Sequence, residues 1–120
     1  MSSPRDPVRM LAEMLRIRAF EEALAGRPDH GFQLLSTGEE AVAVGLCAAL
    51  AREDQLLTGG RSIAAALARG VDAAKLMAEL LGRTSGVNRG RAGRGHLADP
   101  ASGFFGAVGV APLISTSREA

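Results

Sequence analysis

The residues best suited to chemistry form the segment Gly90-Arg91-Ala92-Gly93-Arg94-Gly95-His96. Glycine lets the backbone approach an anion closely, arginine donates charge-assisted hydrogen bonds to phosphate, and histidine can move a proton near neutral pH. The segment predicts an anion-binding loop, with a solvated glycine/arginine loop as the open alternative. It is neither a P-loop nor a dinucleotide fingerprint, because no Gly-Lys-Ser/Thr follows and the glycines are spaced differently.

A nucleic-acid contact is a further alternative for this region. Residues 80–98 contain no acidic residue and four arginines, Arg83, Arg89, Arg91 and Arg94. The net charge of the chain is only +1, and no aromatic residue lies between positions 83 and 103 to stack on a base. Nucleic acid is therefore not expected as a partner.

Arg61 is a second candidate anion-binding residue. It follows Gly59-Gly60 and precedes a predicted helix, where a side chain and free backbone N–H groups can together hold an anion. A solvated surface arginine is the alternative. His30 is expected at the surface, and Glu39 and Glu40 are interpreted as helix-capping residues rather than a catalytic pair, because adjacent helical side chains diverge.

The elements that position these residues are predicted to be mainly helical. Apolar spacing and capping residues predict helices over about 7–25, 37–51, 62–69 and 73–81. Their starts are marked by Asp6, by a Thr37/Glu40 capping box and by Asp72. The run 41–51 is apolar all round, which predicts burial on every side and weakly implies a partner surface. Residues 56–58 predict a short strand, and a glycine/arginine-rich loop is expected over about 83–109.

Composition bounds the fold class. The 120 residues are 47% hydrophobic but only 3% aromatic, which suits one closely packed helical domain and argues against an all-β fold. Phe104 and Phe105 are expected as core anchors. The one cysteine, Cys47, excludes an intramolecular disulfide and is expected to be inert packing. No signal peptide or membrane span is apparent, so a soluble, cytoplasmic protein is expected.

Four sequence segments, taken in order, resemble those of a known family. They are MLRIRAFEE, STGEEAVAVGLCAAL, DQLLTGGRSIAAALARGVDAAKLMAELLGRTSGVNRGRAGRGHL and FFGAVGV. From about Met10 to Ala111 the chain resembles the N-terminal third of the alpha subunit of thiamine-diphosphate-dependent 2-oxo acid dehydrogenases, of the pyruvate, branched-chain and acetoin type. The resemblance implies a mostly α structure, the helical N-terminal part of an α/β thiamine-diphosphate-binding fold with one or two short strands.

The family oxidatively decarboxylates a 2-oxo acid and passes the acyl group to lipoyl. The resemblance implies thiamine diphosphate with Mg²⁺ as cofactor, and a beta subunit and a lipoyl-bearing acyltransferase as partners in an oligomer. By position, Arg61 matches the diphosphate-binding arginine and His96 matches the histidine that ends the active-site loop. Gly109 and Ala111 match the positions whose main chain cradles the aminopyrimidine.

The departures from the family pattern bear on activity. Gly60 stands where the family usually has tyrosine, Ile63 where it has histidine, and Arg94 where it often has a hydroxyl residue. The chain has no Gly-Asp-Gly metal signature, so no metal ligand is predicted. We therefore expect a truncated chain that is inactive and does not bind the cofactor alone, with a second chain supplying the metal-binding part. A non-catalytic helical assembly or regulatory module derived from the family is the alternative.

Overall fold

The computed structural model describes residues 3–107 of the chain. The prediction of a mostly helical chain with short strands is confirmed. The elements, in chain order, are α1 (Pro7–Ala25), α2 (Glu40–Ala49), β1 (Leu56–Thr58), α3 (Ile63–Arg69), α4 (Ala73–Leu80), a 3₁₀ turn (Pro100–Ser102) and β2 (Phe104–Ala107).

Helix α1 occupies the residues at which the sequence placed a helix. The Asp6 carboxylate accepts a hydrogen bond from the Val8 backbone N–H at 3.2 Å, and Pro7 stands at the first helical position. The inward face is buried at Ile17 and Leu24, which pack against α2 and α3. Gly26 ends the helix.

Helix α2 is shorter than the expected 37–51, and its capping box is wrong. The helix begins at Glu40, and no side-chain hydrogen bond caps its first residues. The Glu40 carboxylate instead accepts a hydrogen bond from the Gly38 N–H at 2.8 Å and forms an ion pair with Arg18 of α1. The Glu40 side chain is thus engaged with Gly38 and Arg18, and no side-chain hydrogen bond of Thr37 caps the start of α2 in the described part of the chain.

Within the described residues, α2 is buried on one side only, so the expected burial on every side would need the partner surface that the sequence implied. Ala43 and Val44 are buried against α1 and α3, whereas Val42 is 71% exposed and Leu46 is 49% exposed. On α1, Val8, Leu11 and Leu15 are likewise exposed. The described part of the chain leaves one face of each helix uncovered.

Helix α3 is the centre of the core. Ile63, Ala64, Ala66 and Leu67 are all buried between α1 and α2, and the helix ends at Gly70 in a left-handed conformation that favours glycine. Helix α4 begins at Ala73, where the Asp72 carboxylate accepts from the Lys75 N–H at 2.9 Å. The observed bounds of both helices lie within one residue of the expected 62–69 and 73–81.

The two strands form a parallel pair. Leu56 lies opposite Phe104, Leu57 opposite Gly106 and Thr58 opposite Ala107. Parallel strands need a long crossover connection, and here residues 59–103 provide it with α3, α4 and the loop after α4. Phe104 is fully buried, as expected of a core anchor, whereas Phe105 is 40% exposed.

A buried carboxylate connects α1 to the start of α3. Glu21 accepts a hydrogen bond from the Ser36 backbone N–H at 2.6 Å and another from the Ser36 hydroxyl. The Oγ atom of Ser36 in turn accepts a hydrogen bond from the Ala64 N–H at 3.2 Å.

Among residues 3–107, no helix is long and apolar enough to cross a membrane.

Candidate functional site

The glycine/arginine loop is organised by a buried carboxylate on α4. Glu79 is 1% exposed, and its two oxygens accept hydrogen bonds from four backbone N–H groups, at 2.6 to 3.1 Å. The donors are Asn88, Gly90, Ala92 and Gly93. We call residues 86–98 the site loop. It is folded onto Glu79, so the alternative of a solvated loop is wrong for these residues.

The charge of Glu79 is set by the same contacts. Burial acts to raise the pKa of Glu79, but the N–H groups of Gly90, Gly93, Asn88 and Ala92 together lower it below its ordinary value. Glu79 is therefore ionised near neutral pH. Its negative charge is stabilised by hydrogen bonds from backbone N–H groups rather than by ion pairs with the arginines of the site loop.

Two glycines of the site loop are required by close packing. A Cβ at Gly86 would lie 2.5 Å from the Glu79 Cα, and a Cβ at Gly90 would lie 2.7 Å from the Arg83 carbonyl oxygen. Gly90 also has a φ of +75°. The glycines allow the loop to lie against α4 at van der Waals distance, which the carboxylate contacts require.

The Asn88 side chain closes the base of the site loop. Its Nδ2 donates to the Ala98 carbonyl at 2.9 Å, and its Oδ1 accepts from the Ala98 N–H at 3.0 Å. Leu97 is fully buried and anchors the end of the loop, whereas His96 beside it is exposed. The predicted acid–base residue thus faces solvent from a fixed backbone.

The turn that contains Arg61 lies against the site loop. We call residues 59–62 the site turn; it follows directly after the carboxyl end of β1. The Ser62 hydroxyl donates to the Arg94 carbonyl at 3.0 Å, and Nη1 of Arg94 donates to the Gly60 carbonyl at 3.2 Å. The structure therefore brings the segments of two predicted site residues, Arg61 and His96, into contact.

The Arg61 side chain itself is exposed. Its Nη1 lies 3.3 Å from Oε1 of Glu39, and both side chains are more than half exposed. Such a pair contributes little to stability, so the guanidinium can exchange its partner for an anionic ligand. Glu39 and Glu40 point to different arginines, and neither side chain caps α2 as the sequence led us to expect.

Arg94 is held more firmly than Arg61. Its guanidinium lies over the ring of Phe32 at 5.3 Å from the centroid, in addition to its bond to Gly60. Phe32 comes from the segment between α1 and α2 and is 76% exposed. Arg94 therefore joins three parts of the chain that are distant in sequence.

Some predicted features lie elsewhere. Gly109 and Ala111 lie outside the described residues. Within residues 3–107, no three His, Cys, Asp or Glu side chains are grouped so as to hold a metal ion. His30 is half-buried rather than at the surface, and its Nδ1 is buried without a hydrogen-bond partner.

Cys47 lies away from the site loop. Its thiol lines a cavity of about 330 Å³ between α1, α2 and α3, next to Arg16 and Arg69. Burial raises the pKa of the Cys47 thiol, which keeps it protonated near neutral pH. The cysteine is therefore unreactive, in line with its interpretation as packing.

Sequence reasoning missed Glu79 and Asn88. A signal for Glu79 was present, because it stands on the same helical face as Leu76 and Leu80, where an acidic residue needs a partner. The four N–H donors gave no signal, because backbone groups are common to every residue. Asn88 was visible only as a turn-forming residue within the loop.

The fold and the site together define a class of protein. Ligands of parallel α/β sheets bind outside the carboxyl ends of the strands, and the site turn and site loop meet at such an end. The sequence model of the family described as "Dehydrogenase E1 component" matches residues 9–114. The chain belongs to that family.

Individual relatives agree with the family match. The chain is 40% identical over 105 residues to the alpha subunit of acetoin:2,6-dichlorophenolindophenol oxidoreductase from Bacillus subtilis, covering 84% of this chain and 32% of the relative. It is 40% identical over 113 residues to the pyruvate dehydrogenase E1 component subunit alpha of Rhizobium meliloti, covering 90% and 32%.

A mitochondrial relative is also similar. The chain is 34% identical over 113 residues to the mitochondrial pyruvate dehydrogenase E1 component subunit alpha of Solanum tuberosum, covering 91% of this chain and 29% of the relative. The chain thus spans about a third of the length of the curated relatives it matches.

Proposed function

We propose that this chain provides part of the active site of the decarboxylating component of a 2-oxo acid dehydrogenase complex, as its alpha subunit. The observation that carries the proposal is the contact between the site loop and the site turn at the carboxyl end of β1, through Ser62 and Arg94. This contact puts a cationic turn and a histidine-bearing loop on one surface. The match to the family supports the same conclusion.

We assign thiamine diphosphate to this surface as the cofactor. Exposed Arg61 fits a diphosphate, because its weakly paired guanidinium can donate two hydrogen bonds to phosphate oxygens. When bound, thiamine diphosphate supplies the carbon nucleophile that adds to the 2-oxo group and holds the electron pair after carbon dioxide leaves. Mg²⁺ is assigned to ligands outside residues 3–107, on a second chain or another part of the protein.

The protein groups have separate tasks in this proposal. Arg61 binds the diphosphate, and His96 donates or accepts a proton at the reacting centre through its exposed imidazole. Gly109 and Ala111, which follow β2 in the sequence, contribute main-chain contacts to the aminopyrimidine. Glu79 and Asn88 hold the site loop and do not touch the ligand.

Partners are proposed on the same basis. A beta subunit completes the site and a lipoyl-bearing acyltransferase receives the acyl group. The uncovered apolar residues of α1 and α2 support assembly into an oligomer, because large apolar side chains in clusters mark contact surfaces. A reducing compartment, the cytoplasm, suits the single free cysteine.

A binding experiment tests the cofactor assignment. The chain is titrated calorimetrically with thiamine diphosphate and Mg²⁺, alone and together with the beta subunit and the polypeptide that carries the metal ligands. We expect binding only in the assembled state, in which case the chain alone is inactive. An absence of heat in both titrations contradicts the catalytic proposal.

An activity experiment tests His96. In the assembled enzyme, His96→Gln is expected to lower the rate of carbon dioxide release from a 2-oxo acid by about 10²–10⁴-fold, since a positioned acid–base group contributes about that much. His30→Gln is the matched control, because His30 is the other of the two histidines and lies outside the site loop. Equal rates for the wild type and His96→Gln exclude the proposed role.

A second candidate function is a non-catalytic helical assembly or regulatory module. The exposure of Val42 and Leu46 on α2 favours it, because both side chains need a cover that the described residues do not supply. Sedimentation of the purified protein tests this candidate, and carbon dioxide release by the assembled enzyme distinguishes it from the catalytic proposal, which also expects an oligomer. A monomer at all concentrations, with no partner, counts against it.

A further inference from the structure

Arg94 has more binding capacity than its observed contacts use. A guanidinium carries five N–H donors in a planar fork, and Arg94 donates one of them, from Nη1, to the Gly60 carbonyl. The ring of Phe32 covers one face of the group. Among residues 3–107, no carboxylate lies within ion-pair distance of Arg94, whereas Arg61 has Glu39.

The guanidinium of Arg94 lies next to Gly60, and the lack of a side chain at Gly60 leaves room for it. A Cβ built on Gly60 would lie 3.6 Å from Nη1 of Arg94 and 3.9 Å from Cδ1 of Leu34. Both distances are ordinary van der Waals contacts, so alanine fits at position 60, whereas a longer side chain directed toward Arg94 would compete with the guanidinium for its place. With glycine at position 60 and arginine at position 94, a half-buried guanidinium lies against the site turn.

The position of this cation is fixed before any ligand arrives. The backbone of Arg94 is held by the Ser62 hydroxyl, and its side chain is held by Phe32 and the Gly60 carbonyl. A positioned arginine loses little conformational entropy on binding, so more of its interaction energy contributes to affinity. A planar guanidinium recognises phosphate and carboxylate groups, which offer two oxygens side by side.

We propose that Arg94 is a second oxyanion-binding residue of the candidate site, set in the space that Gly60 leaves open. The inference rests on the proposed function, because it takes the ligand to lie between the site turn and the site loop. Arg94 and Arg61 then approach that ligand from two segments of the chain. The oxyanion belongs either to the diphosphate of the cofactor or to the carboxylate of the 2-oxo acid.

Direct binding distinguishes the two sources. The chain, assembled with the beta subunit and the polypeptide that carries the metal ligands, is titrated separately with inorganic pyrophosphate and with pyruvate, by calorimetry, as the wild type, as Arg94→Ala and as Arg94→Lys. We expect Arg94→Ala to weaken the binding of one probe by about 10-fold or more, as for a lost hydrogen bond to a charged group. Arg94→Lys is expected to recover part of the affinity, because it restores the charge but not the fork.

Two further variants control for charge and for space. Arg52→Ala removes the same charge from an exposed position between α2 and β1, outside the site turn and the site loop, and its affinity is expected to stay within about 2-fold of wild type. Gly60→Leu fills the space and is expected to weaken binding as much as Arg94→Ala. The double variant Gly60→Leu/Arg94→Ala should then bind no more weakly than Arg94→Ala alone.

Each outcome decides the inference. A loss confined to pyrophosphate assigns Arg94 to the cofactor, and a loss confined to pyruvate assigns it to the substrate. Equal affinities of the wild type and Arg94→Ala for both probes overturn the inference, as does an equal loss in Arg52→Ala. Failure of the wild type to bind either probe also overturns it, while carbon dioxide release by the assembled enzyme tests the proposed function separately. Thermal unfolding of each variant shows that it is folded.

Discussion

Glu79 determines the shape of the site loop at the scale of single residues. Four N–H groups from four residues converge on one carboxylate, which makes this side chain the common partner of the whole segment. Arg94 and His96 follow in the same loop. Their positions therefore depend on a residue that is buried beneath them.

The first prediction concerns this carboxylate. Glu79→Gln replaces one acceptor oxygen by an NH₂ group, which leaves two backbone donors of the loop without a partner, because each oxygen accepts from two N–H groups. We expect the free energy of unfolding to fall by about 2 kcal/mol or more, since each unsatisfied buried donor costs about 1–3 kcal/mol. Urea unfolding measures the change. Glu53→Gln, an exposed change of the same kind, is the control and is expected to stay within about 0.5 kcal/mol of wild type.

The second prediction concerns the dependence of stability on pH. The hydrogen bond from Arg18, together with backbone N–H groups, lowers the pKa of Glu40 from 4.5 to about 2. A carboxylate that binds protons more weakly in the folded state stabilises that state above pH 4.5, and this contribution is lost as the pH falls toward 2. As the pH is lowered from 7 to 2, the melting temperature should fall more steeply for wild type than for Glu40→Gln. Parallel curves contradict the assignment.

The residue scale also shows what sequence patterns can reach. Arg61 and His96 were predicted from residue type and local spacing, and their segments are brought together. The contact of Arg94 with Gly60 could not be predicted, because it joins residues that are far apart in the chain and depends on the site loop folding back over the site turn. Local spacing carries no information on such a contact.

At the scale of elements, capping residues decide how well a boundary is predicted. Helices α1 and α4 begin where Asp6 and Asp72 accept backbone N–H groups, and both caps were readable in the sequence. Helix α2 begins later than expected, and Glu40, the expected capping partner of Thr37, pairs instead with Arg18 on a different helix. A capping pattern is local, so a tertiary ion pair can override it.

The third prediction uses two neighbouring residues of β2. Phe104→Ala is expected to lower the free energy of unfolding by about 3–5 kcal/mol, because the ring is fully buried against the core. Phe105→Ala, on the 40% exposed neighbour, is expected to have a much smaller effect. Chemical denaturation measures both. Equal losses would mean that the two rings do not alternate between core and surface.

At the scale of the whole molecule, the apolar residues exceed what the described core buries. The core contains a single fully buried aromatic residue, Phe104, while large apolar side chains on α1 and α2 are exposed. The sequence predicted a closely packed helical core with few large side chains, and it weakly implied a partner surface. The sequence placed that surface on the 41–51 helix, but the exposed face of α2 could not be predicted, because the helix is apolar all round and gives no periodic signal.

The fourth prediction concerns this surface. The double variant Val42→Lys/Leu46→Lys is expected to lower the average sedimenting mass of the purified protein, because two charges on an apolar contact oppose association. The melting temperature should change little, since both side chains are exposed. Ala74→Lys, exposed on α4, is the control. An unchanged mass for the double variant removes α2 from the contact surface.

The parallel pairing of β1 with β2 has a consequence for synthesis of the protein on the ribosome. Strand β1 is complete at Thr58, but its partner begins at Phe104, so residues 59–103 must be translated in between. At about 5–20 residues per second this interval lasts roughly 2–9 s. During that time the nascent chain carries Leu56 and Leu57 on a strand with no neighbour, a state in which chains pair wrongly with one another. The three-residue length of β1 limits that risk, because so short an edge offers few hydrogen bonds to a wrong partner.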